Sequence, residues 1–331
     1  MHPFTLERPR DLAAALALRA QAGHNLAPAE YIAGGTDMVQ LLQEHVRRPE
    51  RLVSLAGLLD NRIEAGPKGL RIGAAATLTD VAAHPAVVRQ FPVIAESLLE
   101  SASPQIRNQA TIAGNLMQRP RCPYFRDVGY EACNRRSPGS GCSAVGGVNR
   151  WHAVLGAGDC IAAHASDVAV ALVALDASVE LQGLGGRRTV LLDDFYRLPG
   201  ETPHMASVLE PGELIIAITV PASAAARRSH YLKVRDRASF EFALVSAAVA
   251  LDMDGSRIRQ ARVALGGVGT KPWRVPQVEA ALAGGSLDPA VLRRAATLAA
   301  EGAQGFGHND FKIELMQRVV VRAVETVGAR A

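Results

Sequence analysis

The sequence predicts an α+β protein with a larger N-terminal region and a smaller C-terminal domain made of one sheet and several helices. At 331 residues the chain is too long for one ordinary core. Short apolar strands alternate with amphipathic helices up to residue 221, whereas residues 229–269 read as long strands joined by an Asp-Met-Asp-Gly turn. Three helical patterns follow from Val275 onward. We expect a boundary near residue 222, in the stretch PASAAARRS.

Periodicity and capping residues predict the individual elements of the N-terminal region. A helix over 11–22 is expected to begin after Asp11 as its N-cap, and a helix over 78–88 to begin at Thr79 or Asp80. The other predicted elements are a strand, turn and helix over 31–44, strands at 51–55 and 70–76, a helix over 91–103, a turn near Gly114 and Asn115, a helix leading into a strand over 166–183, and a strand at 212–221.

Composition and charge exclude several classes of protein. A hydrophobic content of 48% argues against disorder, and 36 basic against 32 acidic side chains leave a net charge of +4, too small and too dispersed for nucleic-acid binding. The N-terminus reads as an amphipathic helix rather than a signal peptide, and no apolar run approaches the roughly 18 residues of a membrane span. By its own sequence the protein is expected to be cytoplasmic, without membrane insertion. A partner with a twin-arginine signal would carry the folded complex to the periplasm.

Two short glycine-containing segments are candidates for holding a phosphate. AGGTD (33–37) lies between a strand and a helix, and TIAGN (111–115) has a similar make-up of small residues, hydroxyl and amide. Glycine permits close approach of a ligand to the backbone, and a helix start offers unpaired N–H groups. Each segment is equally compatible with a plain turn. Together they favour a dinucleotide pyrophosphate.

All four cysteines lie in one segment that has few apolar residues and no helical or strand period. They are Cys122, Cys133, Cys142 and Cys160, with 10, 8 and 17 residues between them. A loop as long as 119–160 is unusual in a compact domain unless something holds it together. A [4Fe–4S] cluster, a zinc ion and unrelated thiols all remain open. The wide spacing favours a cluster, because structural zinc usually takes close Cys-x-x-Cys pairs.

An ordered set of motifs resembles the FAD-binding subunits of the molybdenum hydroxylases. The set is AGGTD, TIAGN, Ser-Asp at 166–167, and YLKVRDR at 231–237, followed by a long hairpin. This resemblance covers almost the whole chain. It implies a two-subdomain FAD-binding fold of the PCMH, vanillyl-alcohol-oxidase-like type over residues 1–221, divided into 1–58 and 59–221, and a C-terminal flavoprotein domain over 222–331.

The resemblance also implies a set of FAD-binding residues. The first turn would wrap the pyrophosphate, and the second turn would cover its other side. Asp167 would contact ribityl or adenosine hydroxyls, Ile215 would lie along the flavin, and Lys233 would sit near the isoalloxazine. The residues of the two turns are Ala33, Gly34, Gly35, Thr36, Asp37, Met38, Thr111, Gly114 and Asn115. The run Ser239–Phe242 departs from the paired acidic residues that are common in the family, which leaves the electron acceptor open.

Within this family the cysteine segment is similar to that of the flavin subunits of heterotrimeric aldehyde oxidoreductases of the periplasmic type. That similarity implies a [4Fe–4S] cluster on Cys122, Cys133, Cys142 and Cys160. The histidines at 152 and 164 either support the cysteine ligands through hydrogen bonds or pack as polar loop residues, and packing is favoured. The arginines of the segment either offset the charge of the cluster or face solvent or a partner; they are Arg119, Arg121, Arg126, Arg135 and Arg136.

The predicted function is electron transfer by FAD and a [4Fe–4S] cluster in a molybdenum-dependent aldehyde oxidoreductase. A large molybdopterin-binding subunit would oxidise the aldehyde. Its electrons would pass through two [2Fe–2S] clusters in a small subunit to this FAD, and the reduced FAD would then reduce an external acceptor. A flavin subunit of the 4-hydroxybenzoyl-CoA reductase type is the enzyme alternative. A zinc-stabilised assembly module without FAD is the non-enzyme alternative.

Overall fold

The computed structural model describes residues 1–20 and 29–330. Its first unit is a three-stranded parallel sheet with one helix packed against it. The elements are β1 (Thr5–Glu7), α1 (Leu12–Ala20), β2 (Ala29–Ile32), α2 (Met38–Gln43) and β3 (Arg51–Ser54), with the strand order β1-β3-β2. Asp11 caps α1 as predicted, since its carboxylate accepts from the Ala14 N–H at 2.8 Å. Residues 21 and 22 of the predicted helix lie outside the described residues.

The second unit is a five-stranded antiparallel sheet covered by helices. Its strand order is β4-β5-β8-β6-β7. Along the chain the elements are β4 (Ile63–Gly66), β5 (Gly69–Gly73), α3 (Leu78–Ala83), α4 (Pro85–Gln90), α5 (Pro92–Leu99), α6 (Pro104–Gln109), α7 (Ile112–Leu116), α8 (Pro123–Arg126), α9 (Asp167–Ala174), β6 (Ser178–Gly183), β7 (Gly186–Leu191), α10 (Leu192–Phe195) and β8 (Leu214–Pro221).

The helix predicted over 78–88 begins earlier and is divided. Thr77 is the N-cap, because its hydroxyl accepts from the Asp80 N–H at 3.1 Å. The expected start at Thr79 or Asp80 was therefore wrong by one or two residues. The division between α3 and α4 falls at Pro85, which cannot donate a helical hydrogen bond and so starts a new helix.

The third unit follows residue 222. A four-stranded antiparallel sheet of order β12-β11-β10-β9 packs against three helices. The elements are α11 (Ala224–Arg227), β9 (Ser229–Val234), β10 (Val245–Asp254), β11 (Arg257–Gly266), β12 (Trp273–Arg274), α12 (Pro276–Leu282), α13 (Pro289–Thr297), a short 3-10 helix (Leu298–Ala300) and α14 (Phe311–Gly328). The predicted hairpin is confirmed, with Asp254 paired to Arg257 across the turn. Within the described residues no helix is long and apolar enough to cross a membrane.

Helix α9 lies at the centre of the molecule and positions the site. All eight of its residues are buried, and it contacts α5 on one side and β10 and β11 on the other. Ser166 caps it through a 3.1 Å hydrogen bond from the Ala169 N–H. Because Ser166 is the cap, the carboxylate of Asp167 at the first helical position is available for other contacts.

The segment 119–160 has one short helix, α8, and is otherwise irregular, as predicted. Specific hydrogen bonds hold it. The side chain of Arg136 donates to the carbonyls of Phe125 and Asp127, and that of Asn149 donates to Phe306 O at 2.7 Å. Its last part pairs with the third unit, since the Val154 and Leu155 N–H groups both donate to Val268 O.

Two adjacent leucines of α5 test the core. Leu98 is 0% exposed and Leu99 is 59% exposed. Leu98→Ala should lower the free energy of unfolding by about 2–5 kcal/mol, because it leaves a cavity in the main core. Leu99→Ala should change it by less than about 0.5 kcal/mol. Urea unfolding followed by circular dichroism measures both. Equal losses of unfolding free energy in the two variants would contradict the assignment of Leu98 to the buried face of α5.

Candidate functional site

The two glycine segments lie against each other. A Cβ added to Gly34 would lie 2.0 Å from Gln109 O and 3.3 Å from Ala110 Cα, so the backbones are in direct contact there. Gly35 has a φ of 74°, which favours glycine. The predicted strand–turn–helix around AGGTD is thus present, although α2 after it has only six residues.

The second segment differs from the predicted turn, because TIAGN forms the start of α7. The Thr111 hydroxyl caps it by accepting from the Gly114 N–H at 3.2 Å. Asn115 Oδ1 accepts from the Ser166 hydroxyl at 2.6 Å, which joins this helix to the start of α9. The sequence motifs at 111–115 and 166–167 are therefore neighbours in space.

Asp37 connects the first glycine segment to the cysteine segment. Its carboxylate lies 2.6 Å from the Arg126 guanidinium and 3.0 Å from that of Arg121, and it accepts from the Arg119 N–H at 2.8 Å. The resemblance had implied that Asp37 contacts FAD. In the structure this carboxylate is occupied by the cysteine segment.

Asp167 is the centre of a buried polar network. It accepts from Lys233 Nζ at 2.8 Å and from the Tyr231 hydroxyl at 2.7 Å, and it contacts the Ser101 hydroxyl at 3.0 Å. The Lys233 side chain is only 1% exposed and also donates to Glu100 O. Burial and the charge of Asp167 raise the pKa of Tyr231 well above 10.0, so its hydroxyl stays a hydrogen-bond donor.

A cavity of ≈ 170 Å³ opens beside this network, between the cysteine segment and the third unit. Asp167, Tyr231 and Ser246 line one side, and His152, Cys122 and Phe242 line others. Sequence reasoning missed Tyr231 and Ser246. Tyr231 lies two residues before Lys233 on β9 and so shares its face, which is a pattern that could have identified it. Ile215 is 3% exposed within the main core and Lys233 is held by Asp167; neither lines this cavity.

Two buried histidines line the cavity as well. Burial lowers the pKa of His152 to about 4 and that of His164 to about 3, so both rings are neutral. His164 packs edge-on against Tyr196 and accepts from the Ser166 N–H, which is a packing role. His152 Nε2 lies 3.2 Å from Cys122 Sγ, whereas its buried Nδ1 has no hydrogen-bond partner among the described residues.

All four thiols are free, and Cys122 lines this cavity. Cys133 and Cys142 pair across an antiparallel bridge, and Asn134 ties this hairpin to the carbonyl of Asp159, next to Cys160. Burial raises the pKa of Cys122 to about 12, and the charges of Cys160 and Cys133 raise it further. Burial also raises the pKa of Cys142, with Cys160 contributing. Nevertheless, no three His, Cys, Asp or Glu side chains of residues 1–20 and 29–330 form a site for one metal ion.

Positive charge accumulates behind the thiols. The charge of Arg47, together with burial, lowers the pKa of Arg119 to about 9, and burial lowers that of Arg121 to about 10. The guanidinium groups of this cluster outnumber its two carboxylates, Glu30 and Asp37; they belong to Arg47, Arg119, Arg121, Arg126 and Arg135. The buried Nε atoms of Arg121 and Arg135 have no hydrogen-bond partner in the described part of the chain. The cluster is therefore suited to an anionic group.

The contact between the two glycine segments is open to test. Gly34→Ala should lower the free energy of unfolding by about 1–3 kcal/mol, because the added methyl group must push Gln109 O away. Gly66→Ala is the control, since a Cβ there meets nothing within 4 Å. Urea unfolding of both variants measures the difference. An unchanged Gly34→Ala protein would show that the segments do not touch.

The chain is similar in sequence to FAD-binding proteins over its whole length. Residues 2–223 match the FAD binding domain in molybdopterin dehydrogenase, and residues 230–327 match the CO dehydrogenase flavoprotein C-terminal domain. The chain is 46% identical over 334 residues to the aldehyde oxidoreductase FAD-binding subunit PaoB of Escherichia coli (strain K12), with 100% of both chains covered. It is 27% identical to the carbon monoxide dehydrogenase medium chain of Afipia carboxidovorans, covering 99% of this chain and 98% of that protein.

A solved structure gives the same result for the fold. Reconstituted CO dehydrogenase from Oligotropha carboxidovorans superposes with a TM-score of 0.77 at 26% identity, with 100% of both chains covered. The predicted α+β fold is confirmed. The chain therefore belongs to the FAD-binding subunits of the molybdenum hydroxylase family.

Proposed function

We propose that this chain is the FAD and [4Fe–4S] electron-transfer subunit of a molybdenum-dependent aldehyde oxidoreductase. The proposal of an aldehyde substrate rests on one observation. The chain is 46% identical, over the full length of both chains, to a protein named as an aldehyde oxidoreductase FAD-binding subunit. A large molybdopterin-binding subunit and a small [2Fe–2S] subunit are its proposed partners. Bound FAD would accept electrons from the small subunit and deliver them to an external acceptor.

Of the FAD-binding residues expected from the sequence, Asp167 lines the cavity, and neither glycine segment does. Tyr231 and Ser246 offer hydroxyl groups, and the buried Nδ1 of His152 has no partner among the described residues, which leaves it available to a ligand. The glycine segments at 33–37 and 111–115 are proposed to hold the pyrophosphate through their backbone. Thr111, Gly114 and Asn115 meet the start of α9 at this point. Asp167 and Lys233 are proposed to hold the Tyr231 side chain in place in the cavity wall. Asp167 accepts from the Tyr231 hydroxyl, and Lys233 donates to Asp167.

The cysteine segment fits an anionic cluster. The Ala162 N–H donates to the Cys160 sulfur at 3.4 Å. Such bonds stabilise thiolates, and the arginine cluster supplies the compensating charge. The four cysteines of the segment are free, and each thiolate would ligate a separate iron of the proposed cluster. Asp37 would hold the segment in place through Arg121 and Arg126.

The first experiment is an absorption spectrum of the anaerobically purified chain with iron, sulfide and zinc assayed on the same sample. We expect one FAD and about four iron atoms and four sulfides per chain. Zinc without iron would overturn the cluster and leave the flavin. Absence of flavin would overturn the electron-transfer function. Isolation from native cells should bring a large molybdopterin-containing subunit and a small iron–sulfur subunit, and isolation without them would contradict the proposed assembly.

Cys133→Ser tests the cysteine ligands separately from the flavin. The variant should lose most of its iron and sulfide and keep its FAD, because a serine hydroxyl is a poor substitute for a thiolate and Cys133 is buried, with 8% exposure. Ser137→Ala, an exposed position in the same hairpin, should keep both cofactors. Iron content that is equal in the two variants would contradict the proposed ligand set.

A further inference from the structure

Lys312 is a fully buried lysine at a position that is unfavourable for a positive charge. It is 0% exposed and lies in the first turn of α14, where the helix dipole disfavours a cation. Its ammonium donates one hydrogen bond, to Gly267 O at 2.8 Å. Burial, and then the charge of Arg150, lower its pKa to about 7. A buried cation is costly unless something compensates it.

No carboxylate of residues 1–20 and 29–330 forms an ion pair with Lys312. The charge of Asp236 reaches it, but that carboxylate is bound by Arg150 at 2.7 Å. The other buried lysine beside the cavity differs in this respect, because Lys233 is neutralised by Asp167 at 2.8 Å. Lys312 therefore differs from Lys233 in having no carboxylate partner in the described part of the chain.

Lys312 stands directly behind the cavity wall. Its acceptor Gly267 lines the cavity, and so does His152, whose pKa is lowered by burial and by the charge of Lys312. Asn309, just before α14, is 0% exposed and donates to Ala153 O at 3.0 Å, next to His152. The start of α14 is therefore fixed against this wall, and the ammonium with it.

We propose that Lys312, rather than Lys233, is the cation that stabilises the negative charge on the reduced isoalloxazine. Two electrons and one proton added to an oxidised flavin leave one net negative charge. A buried ammonium bonded to the lining residue Gly267 stabilises that charge, whereas the Asp167–Lys233 pair has no net charge and contributes little. The inference rests on the proposed binding of FAD in this cavity. Lys312 would act electrostatically, from behind Gly267 and His152, without touching the flavin.

Lys312→Gln is the sharpest variant, because glutamine can keep the hydrogen bond to Gly267 O and removes the charge. The readout is the two-electron reduction potential of FAD in the purified chain, measured by equilibration with a reference dye below pH 7. We expect the preference for reduced over oxidised flavin to fall at least tenfold, which is about 30 mV for a two-electron couple. Lys312→Met should shift the reduction potential of FAD in the same direction.

Lys271→Met is the matched control, since this lysine is paired with Asp193 at 2.8 Å and does not line the cavity. Its potential should equal that of the unmodified chain. An unchanged potential in both Lys312 variants, with FAD bound, overturns the inference. Loss of oxidised FAD from those variants overturns it too, because the charge is needed only for the reduced ring. Absence of FAD from the unmodified chain instead refutes the proposed function.

Discussion

The carboxylate of Asp167 joins three parts of the chain at one buried point. It is carried by α9, and its partners come from the end of α5 through Ser101 and from β9 through Tyr231 and Lys233. The network therefore fixes the third unit against the second across the mouth of the cavity. A buried carboxylate with three partners is stable, whereas removal of Lys233 would leave its charge uncompensated. The shape of the cavity depends on this arrangement.

The cysteine segment depends in turn on the first glycine segment. Asp37 accepts from one backbone N–H and two guanidinium groups of residues 119–126, so the start of the cysteine segment is set by the turn at 33–37. The cavity and the thiols share Cys122 and His152 on one wall. The two proposed cofactor positions are thus adjacent because the same few residues build both.

Local signals in the sequence predicted most of the elements. The capped helix after Ser166, the long hairpin with its turn at Gly255 and the three C-terminal helices each carry their own pattern of caps and apolar spacing. The pairing of β5 with β8 joins residues far apart in the chain, and no local pattern encodes it. For the same reason the occupation of Asp37 by arginines and the burial of Lys312 were not predictable, since each depends on a distant partner.

The last anchors of the cysteine segment have a consequence for the order of assembly. The Leu155 N–H donates to Val268 O and the His164 N–H donates to Gly269 O, so Cys160 is held between two contacts to the end of β11. Three cysteines emerge from the ribosome first, yet the fourth reaches its position only after more than a hundred further residues have been made and folded. Insertion of the proposed cluster would therefore follow folding of the C-terminal sheet.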